Sequence, residues 1–106
     1  MHLLFESRGP WRGPDCGHFV ADAAALAGTG EPVRLVLIQD GVFAAVPDAV
    51  PALADFTRAG GEVWVDRFSF EQRGLPAGAV APDARLVDID EVAARLLHPG
   101  VSAVWH

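Results

Sequence analysis

The chain has no lysine, no asparagine, no tyrosine and only one cysteine among its 106 residues. Its eight positive charges are all arginines that form no cluster or stripe, which excludes a nucleic-acid surface built by this chain alone. A single cysteine excludes an internal disulfide bond. No apolar run approaches the ~20 residues that cross a bilayer, so we expect no membrane contact. The first residues lack the basic start and apolar core of a signal peptide, and we expect a cytoplasmic, reduced protein.

What the chain does have is 51% apolar residues, a formal charge of −6 and a regular alternation of predicted strands and helices. We predict strands at 3–5, 33–39, 62–66, 85–89 and 101–105. We predict helices at 17–27, at 51–58 (or from 46) and from a cap at 88 or 90 to 97, with a short helix or turn at 69–73. Such alternation is typical of a parallel sheet covered by helices. We therefore expect one domain, residues 1–106, with an α/β fold: a three-layer α/β/α sandwich around a largely parallel sheet of four to five strands.

The apolar run at 35–38 stops at Gln39-Asp40-Gly41, at the carboxyl end of a predicted buried strand. Open α/β sheets bind their ligands at this edge, so Asp40 is a candidate site residue that orients a neighbouring group or pairs with an arginine across a subunit boundary. The alternative is a plain Asp-Gly turn, in which the carboxylate bonds its own backbone and the glycine supplies a permissive conformation. A phosphoacceptor aspartate of the response-regulator kind is excluded, because that site needs a lysine.

Four segments of the chain resemble the DsrE/DsrF/DsrH superfamily of sulfur-relay proteins, and in particular its DsrH/TusB branch. They follow the family's order and extend over nearly the whole chain. One departure is a segment between Trp11 and the Gln-Asp-Gly strand that is several residues longer than in the branch. The segments are an opening strand followed by Pro10-Trp11; 37–42 followed by Ala44-Ala45-Val46; Val63-Trp64-Val65 followed by Arg73-Gly74-Leu75; and Val87-Asp88 followed by His98-Pro99 and Ala103-Val104-Trp105.

The resemblance implies a small α/β/α domain that works inside an oligomer. Complexes of this family pass persulfide sulfur between cysteines, toward thiolation of a tRNA wobble uridine or within sulfur oxidation. The DsrE-type subunit carries the principal cysteine in the loop after the third strand, where this chain reads 66–70 without a cysteine. The DsrH cysteine lies in the first helix, and Cys16 comes near that region without matching its register. The carrier role is therefore not inherited position by position.

Cys16 is the candidate sulfur carrier, and it lies at or just before a predicted helix start. Unpaired backbone N–H groups and the helix dipole favour a thiolate there, and nearby His18 and Arg12 could add positive charge. We therefore name His18 beside Cys16 as a candidate site residue. The alternative is a small, partly buried and inert thiol, because two aspartates on the same sheet edge would raise its pKa.

The remaining patterns predict neither a metal site nor a cofactor site. The four histidines show no zinc-ligand spacing, and Arg8-Gly9-Pro10-Trp11-Arg12-Gly13 lacks the spacing of a phosphate-binding loop. No Cys-x-x-Cys motif or nucleophile elbow is present, so there is no independent catalytic constellation. A small-molecule pocket at the carboxyl edge would rest on fold analogy alone.

Aromatic residues predict where subunits meet. Trp64 is expected in the core, whereas four others are candidates for patches that DsrE-like, DsrF-like or identical subunits cover: Trp11, Phe68, Phe70 and Trp105. Two hypotheses follow. The chain is either an accessory or carrier subunit of a sulfur-relay oligomer, or a non-catalytic interaction or regulatory domain of the same fold that forms a homo-oligomer.

Overall fold

The computed structural model describes residues 1–106 and contains five strands and four α-helices. The strands are β1 (His2–Glu6), β2 (Val33–Leu37), β3 (Glu62–Asp66), β4 (Ala84–Val87) and β5 (Ser102–Trp105). The helices are α1 (Asp15–Ala27), α2 (Ala52–Arg58), α3 (Arg67–Gln72) and α4 (Ile89–Leu96). Three 3₁₀ helices occupy Pro10–Arg12, Gln39–Ala45 and Ala77–Ala79. None of the helices combines the length and apolarity that crossing a membrane requires.

The five strands form one sheet in the order β4-β3-β2-β1-β5, and every neighbouring pair is parallel. The central strand β2 is buried over all five of its residues, as expected for a strand with helices above and below it. Parallel pairing aligns the carboxyl ends of all five strands along one edge. The predicted α/β class with a parallel sheet is therefore confirmed.

Helices cover both faces of the sheet. On the first face, α1 and α2 pack side by side over the larger core, which includes Leu35, Leu37, Val63 and Phe56. A smaller core lies on the second face. Val92, the one buried residue of α4, packs there against residues from four strands: Leu3, Phe5, Val36, Trp64 and Val87. The sandwich has the three predicted layers.

Trp64 belongs to this second core, as the sequence predicts. The Arg34 guanidinium carbon lies 3.9 Å from the centre of the Trp64 ring, and its Nη2 lies 2.7 Å from Oε2 of Glu62. A carboxylate and an aromatic face thus hold this buried arginine, while its Nη1 has no hydrogen-bond partner.

The largest difference from the predicted elements follows β2. The strand ends at Leu37 instead of Gln39, and the next residues form the 3₁₀ helix Gln39–Ala45. Gln39 has a φ of 50°, which leaves the extended region. A Cβ on Gly41 would lie 2.0 Å from the carbonyl oxygen of Glu6. The chain therefore turns across the end of β1 at a distance that only glycine permits.

Candidate functional site at the carboxyl edge of the sheet

Asp40 forms an ion pair with Arg73 of the same chain. The Nε of Arg73 lies 3.0 Å from Oδ1 of Asp40, and its Nη1 donates to the carbonyl oxygen of Ser69 at 3.1 Å. The pair joins the segment after β2 to the end of α3, and it connects two of the segments that carry the family resemblance. Both side chains are partly exposed. The sequence suggests an arginine of another subunit as a partner for Asp40, whereas in the structure Asp40 pairs with an arginine of its own chain.

The turn expected at Asp40-Gly41 is also different in detail. The carboxylate of Asp40 is engaged by Arg73 rather than by its own backbone, and the left-handed residue is Gln39 rather than the glycine. Gly41 is needed for the close approach to the Glu6 carbonyl oxygen, not for a permissive φ. The segment is therefore an element packed against β1, not a free turn.

Asp66 and Ser69 form a hydrogen-bonded pair at the start of α3. Asp66 Oδ2 accepts hydrogen bonds from the Ser69 backbone N–H at 3.3 Å and from its hydroxyl at 2.6 Å, which caps the helix. The Ser69 Oγ accepts in turn from the Gln39 backbone N–H at 3.0 Å. Both residues are buried, and Asp66 Oδ1 has no hydrogen-bond partner. This pair is not among the candidate residues named from the sequence, although an aspartate at a strand end with a serine three residues later is a recognisable N-cap signal.

These side chains line an open depression of about 530 Å³ at the carboxyl edge of the sheet. Its walls include Ser7, Gln39, Asp40, Phe68 and Arg73. The ionic and hydroxyl groups are engaged with one another, so the arrangement fixes the loops rather than presenting a nucleophile beside a base. Nowhere in the structure do three His, Cys, Asp or Glu side chains gather as a group that could hold a metal ion.

Cys16 lies inside the core below this edge, with 2% of its surface exposed. Desolvation by burial raises the pKa of its thiol from 9.0 to about 11, and the negative charge of Glu6 adds to the increase. Burial thus opposes the low-pKa thiolate expected at the helix start. The helix dipole acts only on the first turn and with a small energy, whereas loss of hydration disfavours the charged form strongly. The thiol is buried, as the alternative of a small, inert cysteine assumes.

His18 and Arg12 differ from Cys16 in their exposure to solvent. Both are exposed, and His18 follows Cys16 by two positions on α1, which places it about 200° around the helix. The structure thus separates Cys16 from His18, which are close in sequence, because one faces the sheet and the other faces solvent.

The histidine that approaches the core is His106. Its Nδ1 lies 2.6 Å from Oε2 of the fully buried Glu6, and its ring stacks on Phe19 with centroids 4.6 Å apart. The Ser7 hydroxyl and backbone N–H donate to its carbonyl oxygen at 2.8 and 3.0 Å. Glu6 and His106 are 100 residues apart in sequence, so no local pattern could have indicated the pair.

Three of the four aromatic residues predicted at interfaces are exposed: Trp11, Phe68 and Trp105. Phe70 is not, and its prediction is corrected: it is fully buried in the larger core, whereas 67% of Phe68 is exposed. The two residues are two positions apart on α3, so they point to nearly opposite sides of the helix. Trp11 contacts Phe43 edge-on, and Trp105 stacks on Phe5 with centroids 3.9 Å apart.

Comparison with solved structures identifies two proteins of the same fold. The YchN protein from E. coli superposes with a TM-score of 0.86 at 16% identity, covering 99% of this chain and 97% of that one. MTH1491 from Methanobacterium thermoautotrophicum, described as a protein of unknown function, superposes with a TM-score of 0.77 at 10% identity, covering 99% and 98%. No family model and no curated protein matches the sequence. The chain therefore has the DsrE-like fold of these structures, and at such low identity the likeness concerns the fold alone.

Proposed function

We propose that this chain is an accessory subunit of a DsrE-fold assembly of the sulfur-relay class, similar to the DsrH/TusB branch, and that it does not itself carry sulfur. The observation that supports the accessory role is the burial of Cys16 with a pKa near 11. At neutral pH such a thiol is almost entirely protonated, and the thiolate is the form that accepts sulfur.

The chemistry of transfer makes this requirement explicit. A carrier thiolate attacks the terminal sulfur of a donor persulfide, the new S–S bond forms a persulfide on the carrier, and the donor leaves as a thiolate. Cys16 would need to move out of the core and lose its proton before the attack. After β3, where a DsrE-type subunit holds its cysteine, this chain has Ser69, whose hydroxyl is already engaged by Asp66.

Within such an assembly, exposed aromatic residues are the proposed contacts with DsrE-like, DsrF-like or identical subunits. Trp11, Phe68 and Trp105 are exposed, and exposed aromatic side chains are enriched where subunits meet. The pathway would be tRNA thiolation or sulfur oxidation, in the cytoplasm, where a lone unpaired thiol stays reduced.

The test is sulfur transfer by a complex reconstituted from this chain with DsrE-like and DsrF-like subunits. We expect transfer from a persulfide donor to fall when the chain is omitted and to be unchanged when Cys16→Ser replaces the wild type. Mass spectrometry should find no sulfane-sulfur adduct on Cys16 of the native chain, and an adduct after unfolding in urea. Loss of transfer in Cys16→Ser, with intact folding, would instead make Cys16 a carrier.

A second candidate is a non-catalytic interaction domain that forms a homo-oligomer. The same exposed aromatic residues favour it, since they need no other kind of subunit to cover them. It predicts that omission of the chain leaves sulfur transfer unchanged and that the purified chain alone associates.

A further inference from the structure

Strand β5 is an edge strand with one side unpaired. It pairs with β1 and has no neighbour beyond it. On its inner side, the Ser102 N–H donates to the Met1 carbonyl oxygen at 3.0 Å, and the His106 N–H donates to that of Phe5 at 2.8 Å. Because alternate residues of such a strand bond to the same side, Ala103 and Trp105 direct their N–H and C=O groups outward. These outward groups form a short, regular row of donors and acceptors.

Strand β5 lacks the features that usually keep an edge strand from pairing with another chain. All four residues of β5 are exposed, and none is charged or a proline. The exposed fractions are 48% for Val104 and 61% for Trp105. At the opposite edge, β4 contains the charged Arg85, and the Arg67 side chain donates to the Leu86 carbonyl oxygen at 3.4 Å. The two edges therefore differ, and only β5 resembles a surface made for another strand.

We propose that β5 pairs antiparallel with β5 of a second copy of this chain, with Val104 on the two-fold axis. In an antiparallel pair, residues whose N–H and C=O groups point toward the other strand can lie opposite one another. With Val104 on the axis, Ala103 of each copy lies opposite Trp105 of the other copy, which meets this requirement. Both copies then use the same surface, as a two-fold interface requires. The result is a continuous sheet of ten strands.

The side chains support this register. Ala103 and Trp105 lie on the second face of the sheet, as their partners Leu3 and Phe5 do, so each exposed indole ring would cover the small Ala103 of the other copy. Val104 lies on the first face and would meet Val104 of the other copy. A large residue opposite a small one and an apolar residue opposite itself give packing without like-charge repulsion.

This self-complementarity argues for a second copy rather than an unrelated strand. The inference deepens the assembly role proposed above and rests on it, but it names one edge and one register. Four residues form a small interface, so we expect a reversible dimer.

The test is disulfide cross-linking in a Cys16→Ala background, where the introduced thiol is the only one. Val104→Cys would place two thiols at a non-hydrogen-bonded pair with Cα atoms ~4.5 Å apart, within disulfide range. Ser102→Cys is the matched control, because its two copies would lie ~13 Å apart. With oxidised glutathione as oxidant, two protein thiols become one disulfide and two glutathione thiols are released. We expect a covalent dimer from Val104→Cys and none from Ser102→Cys.

A second measurement does not depend on oxidation. Sedimentation from about 1 μM to 1 mM chain should show dimerisation of the wild type and a monomer for Val104→Arg, which places two positive charges on the axis. Ala103→Pro should also be monomeric, because it removes an outward N–H, whereas Ala103→Ser should dimerise.

The outcomes separate the two proposals. An oligomer that survives Val104→Arg, or equal cross-linking at 102 and 104, would overturn the edge pairing and leave the assembly role intact. A monomeric wild type would overturn the pairing and remove the homo-oligomer candidate. Failure of the sulfur-transfer test would bear on the accessory role alone.

Discussion

Cys16 should determine how the stability of this protein changes in alkaline solution. The chain contains no lysine and no tyrosine, and arginine keeps its charge throughout the range, so Cys16 is the one side chain that titrates between pH 9 and 11. The α-amino group titrates at about pH 8 and is common to every variant. Alkaline unfolding is therefore a nearly isolated measurement of this thiol.

The raised pKa of Cys16 determines the direction and the size of the change in unfolding free energy with pH. The folded state holds the proton to about pH 11 and the unfolded state releases it near 9.0, so deprotonation favours the unfolded chain. The stabilisation is complete below pH 9 and is lost as the pH rises through 11. Two pKa units correspond to about 2.7 kcal/mol in total, and about 1.4 kcal/mol should be lost by pH 10.

The assay is urea unfolding followed by circular dichroism between pH 8 and 11, with Cys16→Ala as control. The control should be less stable at pH 8, because it leaves a small cavity, but its unfolding free energy should not fall along the Cys16 curve as the pH rises. Thiolate absorbance should rise with a midpoint near pH 11 in the native protein. A midpoint at or below 9, or equal slopes in both proteins, would refute the buried environment described for Cys16.

Three further substitutions test the packing around the site by urea unfolding. Gly41→Ala should lower the unfolding free energy by about 3 kcal/mol, because the new Cβ would meet the backbone oxygen of Glu6 at 2.0 Å. His106→Ala should lower it by about 2 kcal/mol, since the buried Glu6 carboxylate loses a hydrogen-bond partner and Phe19 loses its stacking. Phe70→Ala should lower it by about 4 kcal/mol through the cavity it leaves.

Each of the three has a matched control in the chain. Gly17→Ala has no atom within 4 Å of the new Cβ and lies inside α1, so it should stabilise by about 0.5–1 kcal/mol. His98→Ala and Phe68→Ala change exposed side chains and should stay within about 0.5 kcal/mol of the wild type. Equal effects of Phe68→Ala and Phe70→Ala would contradict the orientation of α3, and a neutral His106→Ala would contradict the Glu6 contact.

The sheet was predictable from local patterns in the sequence. The run at 35–38 predicts a strand because four aliphatic residues suit a position with helices on both sides, and β2 has that position. The alternation of elements then predicts parallel order, because each crossover needs a helix to return the chain. The 3₁₀ helix Gln39–Ala45 escaped prediction because Gln-Asp-Gly is also a turn pattern. What decides between them is the carbonyl oxygen of Glu6, contributed by a distant strand.

The site was less predictable because its pairs are not local. Asp40 meets Arg73 across 33 residues, and the pKa of Cys16 depends on burial and on Glu6 of β1. Helix position alone suggested the opposite shift, since the dipole is a local property and burial is not. Asp66 could have been identified as the cap of α3 from its spacing to Ser69.

That cap also decides which aromatic residue of α3 is available to a partner. Asp66 fixes where the helix begins, and the start of a helix fixes the direction of every later side chain. With this start, Phe70 turns into the larger core and Phe68 turns to solvent, beside the depression that Asp40 and Arg73 line. The hydrogen bonds of this cap therefore set both the core contribution of the helix and the surface that it presents. In Asp66→Ala, a loss of stability accompanied by weaker association would link these two roles in one residue.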